Sequence, residues 1–227
     1  MRIVGVTGTK DTGKTALVEK IVRKLADAGY RVATLKHTHG GFDFPGKDTD
    51  RHRRAGAEIV AGTGRETFFL IDREMDLPEV VGVLEMLDDI DFLVVEGFKS
   101  MEYANISTST PGEFTLKVVD PFKIDEVDDL IELIERRSYG LLQDLNCGKC
   151  GFESCREFAK AKVQGDADDT DCKSQPDRVL LRVNGKPVPL NPFVQNFIAG
   201  TVLGMVDALD TESLKHQKVD LIIKRPE

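Results

Sequence analysis

Gly8-Thr9-Lys10-Asp11-Thr12-Gly13-Lys14-Thr15 reads G-x-x-x-x-G-K-T, and its flanks decide how the first half of this chain folds. Upstream, Ile3–Val6 is an apolar run with the length of a buried strand. Downstream, Leu17, Val18, Ile21, Val22 and Leu25 recur at helical spacing, and Gly29 supplies a stop. Strand, glycine turn and helix N-terminus in that order bring backbone amides and the positive end of a helix onto phosphate oxygens. Gly8, Thr9, Lys10, Asp11, Thr12 and Gly13 form the cradle. Lys14 reaches the outer phosphates, and the Thr15 hydroxyl joins a magnesium shell.

Beyond this loop, strands and helices alternate as far as residue 137. Val32–Leu35, Ile59–Ala61, Phe68–Ile71, Phe92–Val95 and Phe114–Val119 read as strands. Pro78–Leu87 and Glu126–Arg137 read as helices. The alternation predicts an α/β fold, a P-loop NTPase with a mostly parallel sheet and helices on both faces. The pattern changes at Leu141, so residues 1–137, 138–175 and 176–227 are expected to form three units.

The chain has 227 residues, 41% hydrophobic and 31% charged, which is the composition of an ordinary globular protein. Its net charge of −8 argues against bulk nucleic-acid binding. No apolar stretch has the length of a membrane span and no signal-peptide pattern opens the chain, so a cytoplasmic address is expected. There, four cysteines point to metal ligation rather than disulfides.

Leu35-Lys36-His37-Thr38-His39-Gly40-Gly41 leaves the end of the second strand, the edge where ligands sit in a doubly wound sheet. The loop runs on to a helix with Asp48 as its expected cap. Its cations suit phosphate and its carboxylates suit magnesium or water. His37 and His39 lack a third ligand at zinc spacing. In Asp91-Phe92-Leu93-Val94-Val95-Glu96-Gly97, a buried strand ends in a carboxylate where such enzymes hold magnesium, whereas Asp91 starts the strand at the wrong edge. There is no Asn-Lys-x-Asp motif to read guanine. Asp120-Pro121-Phe122 follows the last strand, at a position to border a base.

Cys147, Cys150, Cys155 and Cys172 are spaced C-x2-C-x4-C-x16-C. Thiolates suit zinc and iron–sulfur clusters alike, but three close cysteines and one distant one favour a cluster over the paired cysteines of structural zinc. The stretch 146–173 has too little apolar content for a core of its own and is expected to need its metal to fold. The third unit reads as a hairpin, a helix and a strand: Val179–Val183 and Val188–Leu190 around Asn184-Gly185, a helix capped by Asn191 with Pro192 behind it, then Val219–Ile223.

The loop, Leu35-Lys36-His37-Thr38-His39, Gly46-Lys47-Asp48-Thr49, Arg54-Ala55-Gly56-Ala57 and Val95-Glu96-Gly97-Phe98-Lys99 together resemble the MobB family, adapters of molybdopterin guanine dinucleotide biosynthesis. The resemblance covers roughly the first 135 residues. It implies a dimeric, slow GTPase that assists a MobA-like guanylyltransferase, with GTP and Mg2+ as ligands and molybdopterin as a further one. It assigns phosphate and magnesium roles to residues 8–15 and extends them to Lys36, His37, Asp48 and Glu96, with Lys14 and Glu96 as the catalytic pair. The cysteine run, with Phe158-Ala159 and Gly165, resembles the 4Fe–4S modules of corrinoid iron–sulfur proteins and Rnf-type electron-transfer subunits. The tail resembles extensions of archaeal family members. The cysteines leave a rival open: a redox-coupled nucleotidase or electron-transfer module in which nucleotide gates partner docking.

Overall fold

The computed structural model describes residues 1–38, 47–97, 101–122, 127–173, 175, 179–184, 186–209 and 218–223. Strand β1 (Arg2–Thr7) runs into helix α1 (Lys14–Asp27), and β2 (Val32–Lys36) follows. Next come α2 (Asp48–Arg54), the antiparallel hairpin β3 (Ile59–Thr63) and β4 (Thr67–Ile71), then α3 (Leu77–Leu87). Strands β5 (Phe92–Glu96), β6 (Asn105–Ser107) and β7 (Thr115–Val118) lead to α4 (Val127–Arg137). The cysteine segment contributes α5 (Cys155–Gln164), and the tail contributes β8 (Leu181–Val183), β9 (Lys186–Val188) and α6 (Pro192–Asp207).

The main sheet has five parallel strands in the order β2-β5-β1-β6-β7. Strand alternation sorts its two faces. Val4, Val6, Phe92 and Val94 pack with Leu17, Ile21 and Leu25 of α1 and Leu130 and Ile134 of α4. Ile3, Leu93 and Val95 face the other way, onto Leu77 and Val81 of α3. Helix α3 opens with a reciprocal capping box: Asp76 accepts from the Glu79 amide at 2.8 Å, and Glu79 accepts from the Asp76 amide at 3.1 Å. Pro78 therefore lies one residue inside the helix rather than opening it.

The cysteine segment does not stand apart. Phe158, Ala159, Val163 and Cys172 share a buried cluster with Ala104, Phe114 and Tyr139. Phe158 makes edge contacts with Tyr139 and Phe152, at centroid distances of 6.0 and 5.8 Å. The expectation that this stretch lacks a core is corrected in one respect: it borrows apolar surface from the amino-terminal ends of β6 and β7. Arg156, packed over the Phe114 ring, pairs with Glu102 and Glu113, and Lys160 joins Glu113 at 2.6 Å.

Three further expectations are corrected. Asp48 is the first residue of α2 and Lys47 occupies the cap, without a side-chain hydrogen bond. Val219–Ile223 is not a strand; Leu221, Ile222 and Ile223 are mostly exposed. A short apolar run becomes a strand only beside a partner edge. In β8–β9 the pairing starts from Val183 and Lys186, so the second strand begins at Lys186 rather than Val188. Asn191 caps α6, accepting from the Val194 amide at 3.1 Å, and Pro192 stands at its start as expected.

Candidate functional site

The phosphate loop spans the gap between β1 and α1, at the carboxyl ends of the parallel strands. Gly13 has φ 77° and Gly8 φ 150°; both conformations favour glycine. Space is equally restrictive. A Cβ on Gly8 would lie 2.0 Å from Thr108 Oγ1, and one on Gly13 would lie 2.6 Å from Pro121 Cγ. The Thr12 hydroxyl donates to the Thr9 carbonyl at 2.9 Å and meets the Thr108 hydroxyl at 2.6 Å, which ties the loop to the end of β6. Lys14 folds over its own loop and donates to the Thr9 carbonyl.

On the β5 side, the Thr15 hydroxyl donates to both carboxylate oxygens of Glu96, at 3.1 and 3.2 Å. Lys36, at the end of β2, places its ammonium 3.3 Å from Glu96 Oε1. Parallel registration does this: Lys36 and Val6 both pair with Glu96 across the sheet, so the three strand ends align. The His37 amide donates to the Glu96 carbonyl at 3.0 Å, and Gly97, at φ 104°, leaves room for the His37 stem. Asp91, by contrast, accepts from the Arg31 amide at the opposite edge, as its place in the sequence requires.

Lys14, Thr15, Lys36 and Glu96 thus converge, with the His37 backbone beside them. Asp48 pairs with Arg51 on its own helix at 3.6 Å. His39, Gly40–Gly46, Phe98 and Lys99 lie outside the described residues. Sequence reading missed Thr108, because a three-residue strand with one buried isoleucine gives almost no periodic signal. It also missed Asp50, a buried carboxylate held by Arg53 at 3.1 Å and Arg54 at 2.9 Å. The i, i+3 and i, i+4 spacing of Asp50 to those arginines was the available signal.

At the other end of the sheet, Cys147 is exposed, Cys150 half-buried, and Cys155 and Cys172 buried, with no disulfide among them. Cys155 is the first residue of α5, and its amide donates to Asn146 Oδ1 at 2.8 Å. Gly148 and Gly151 turn the chain at φ 65° and 90°. Lys162 is buried and donates to the Asp168 and Thr170 carbonyls, at 2.8 and 2.9 Å, which fixes the approach to Cys172. Desolvation lowers its pKa, with Asp171 opposing. Burial raises the phenols of Tyr103 and Tyr139 far above their ordinary value, so both stay neutral. The donor set is that of a thiolate metal centre in kind. Among the described residues, no three histidine, cysteine, aspartate or glutamate side chains are gathered closely enough to hold a metal ion. A separate cavity of about 160 Å³, lined by Pro78, Leu141, Leu181 and Val188 among others, contains none of the predicted site residues.

A family model described as "Molybdopterin guanine dinucleotide synthesis protein B", MobB, matches residues 3–120. The chain belongs to the MobB family. A second model, described as "Putative Fe-S cluster", matches residues 142–174 of this MobB-family chain. A curated relative from Methanocaldococcus jannaschii is 33% identical over 240 residues and covers 99% of both chains. Its name is "Putative molybdopterin-guanine dinucleotide biosynthesis adapter protein". A Bacillus subtilis relative, named a probable adapter of the same biosynthesis, is 37% identical over 109 residues, covering 46% of this chain and 62% of its own. The solved Bacillus subtilis MobB structure covers 59% of this chain and 97% of its own, at 22% identity and a TM-score of 0.46. Among the described residues of this family member, no helix is long and apolar enough to cross a membrane.

Proposed function

We propose that this MobB-family chain is a GTP-binding adapter with slow GTPase activity in molybdopterin guanine dinucleotide biosynthesis. The names of its relatives support the pathway. The convergence of Thr15, Glu96 and Lys36 at the mouth of the phosphate loop carries the nucleotide reading. The Thr15 hydroxyl and the Glu96 carboxylate, brought together by their hydrogen bond at 3.1 Å, are the oxygen donors that would hold Mg2+ directly or through a bound water. The ion would supply charge stabilisation at the phosphates. Lys36 at 3.3 Å gives Glu96 a cationic partner that can turn to phosphate when Mg2+ takes its place. Lys14, released from the Thr9 carbonyl, neutralises charge on the β,γ-bridge as it develops in phosphoryl transfer, and the loop amides hold the phosphates. Lys36, His37 and Asp48 belong to the segment facing the γ-phosphate or the molybdopterin phosphate. Slow turnover fits an adapter whose partner, a MobA-like guanylyltransferase, completes the site.

The four thiols are assigned to a 4Fe–4S cluster, supported by the donor set and by the matched family. When bound, that group supplies one-electron redox capacity or a structural crosslink. The unit boundaries at 137 and 175, a homodimer and a cytoplasmic location complete the proposal.

The test is calorimetric titration of GTP with Mg2+ onto the whole chain and Lys14→Ala. Wild type is expected to bind, and the variant to lose at least an order of magnitude in affinity. Equal binding by the two proteins refutes the phosphate assignment. Iron and sulfide content after anaerobic purification tests the cluster; a colourless, zinc-loaded protein refutes it.

A further inference from the structure

The two flanks of the phosphate loop differ in chemistry. The sheet order places β5 and β2, with Glu96 and Lys36, on one side of β1, and β6 and β7 on the other. On the β7 side, Pro121 and Phe122 stand against the loop at Gly13. Phe122 is 78% exposed, yet its Cζ lies 3.1 Å from where a Cβ on Gly13 would stand, so the ring rests against the loop at the start of α1. Its backbone is held from both sides. Asp120 Oδ1 accepts from the Phe122 amide at 3.0 Å, Pro121 is buried against Gly13, and Lys20 donates to the Pro121 carbonyl at 3.4 Å. An exposed phenyl ring on a fixed turn gains little from burial and leaves a flat apolar face open to a ligand.

A nucleotide has the same asymmetry: a charged phosphate chain at one end and a flat aromatic base at the other. We infer that Phe122 is the stacking platform for the base of the bound nucleotide. This rests on the nucleotide reading above and adds the position of the base and the means by which it is held. A phenyl face accepts any base by its π-surface and reads no hydrogen-bond pattern. Phe122 therefore contributes affinity for nucleotides as a class, while discrimination of guanine from adenine comes from other groups.

The experiment compares GTP, ATP and inorganic tripolyphosphate, each with Mg2+, on the full-length wild type, Phe122→Ala and Phe122→Trp. Loss of one base–aromatic stack weakens binding about fivefold to a hundredfold. Phe122→Ala is expected to lose that much for GTP and ATP alike, to keep tripolyphosphate affinity unchanged, and to be rescued by Phe122→Trp. The chain has no native tryptophan, so the introduced indole reports directly: its fluorescence is expected to be quenched by GTP and not by tripolyphosphate. Unchanged GTP affinity in Phe122→Ala overturns the inference, and so does an equal loss for GTP and tripolyphosphate, which indicates a distorted loop. A wild type that binds tripolyphosphate and GTP equally well removes the base subsite while leaving the phosphate site standing. Binding of neither refutes the nucleotide reading itself.

Discussion

Replacing Lys162 with methionine separates two opposed effects of one buried ammonium. Methionine keeps most of the apolar stem and removes both donors, leaving the Asp168 and Thr170 carbonyls without the Lys162 hydrogen bonds. Depriving a buried acceptor costs about 1–3 kcal/mol. Both residues are only partly buried, so about 1 kcal/mol each applies here. Against this, the variant escapes the desolvation that lowers the lysine pKa. We expect a net loss of about 1–2 kcal/mol near neutral pH, or about 2–4 °C in Tm per kcal/mol for a chain of this size. The exchange also frees the turn before Cys172, so that thiol should react faster with an aromatic disulfide in metal-free protein.

The pH dependence fixes the sign independently. Between the lowered folded pKa and the ordinary lysine value of 10.5, the unfolded chain holds a proton that the folded chain lacks. Wild-type stability relative to Lys162→Met should therefore rise with pH across that window and level off above it. Below the window the desolvation penalty is present in full. Urea titrations of both proteins from neutral pH to above 10.5 measure the difference curve. A variant at least as stable as wild type at neutral pH, or a difference that falls as pH rises through the window, refutes the reasoning.

Phe158→Ala removes a ring that is 1% exposed from the cluster joining the cysteine segment to β6 and β7, and should cost about 3–5 kcal/mol in urea unfolding. If the two regions fold independently, the loss will appear only in thiol exposure and not in melting of the sheet. Gly13→Ala combines an L residue in the left-handed region, at about 1–2 kcal/mol, with a Cβ 2.6 Å from Pro121 Cγ. It should abolish nucleotide binding and lower Tm by several degrees; binding at wild-type affinity contradicts the close packing of the loop on Pro121.

The geometry of the candidate site was legible because its parts are local or carried by strong periodicity. Gly8–Thr15 is contiguous, and Glu96 ends a run of buried residues whose edge follows from strand direction. That Lys36 comes within 3.3 Å of Glu96 depends on β5 inserting between β1 and β2, a topology that no local pattern encodes. Thr108 and Pro121 were unreadable as loop supports for the same reason: each is set by pairing across β1, β6 and β7. Helix α5 went unread because its start coincides with a cysteine motif, although Ser154 and Gly165 mark its two ends. Its apolar face looked too small for a core because half of that core lies more than forty residues upstream, at Ala104 and Phe114.

Strand β7 links the cysteine segment to the loop at Gly8–Thr15. Its first residue follows Phe114, buried among the aromatics of the cysteine segment; beyond its last residue, Pro121 bears on Gly13. Seven residues of extended chain span up to about 25 Å, whereas reacting groups must approach to about 3–3.5 Å. What the two regions share is a support: the strand anchored at Phe114 carries at its far end the Pro121 surface on which the Gly13 turn rests.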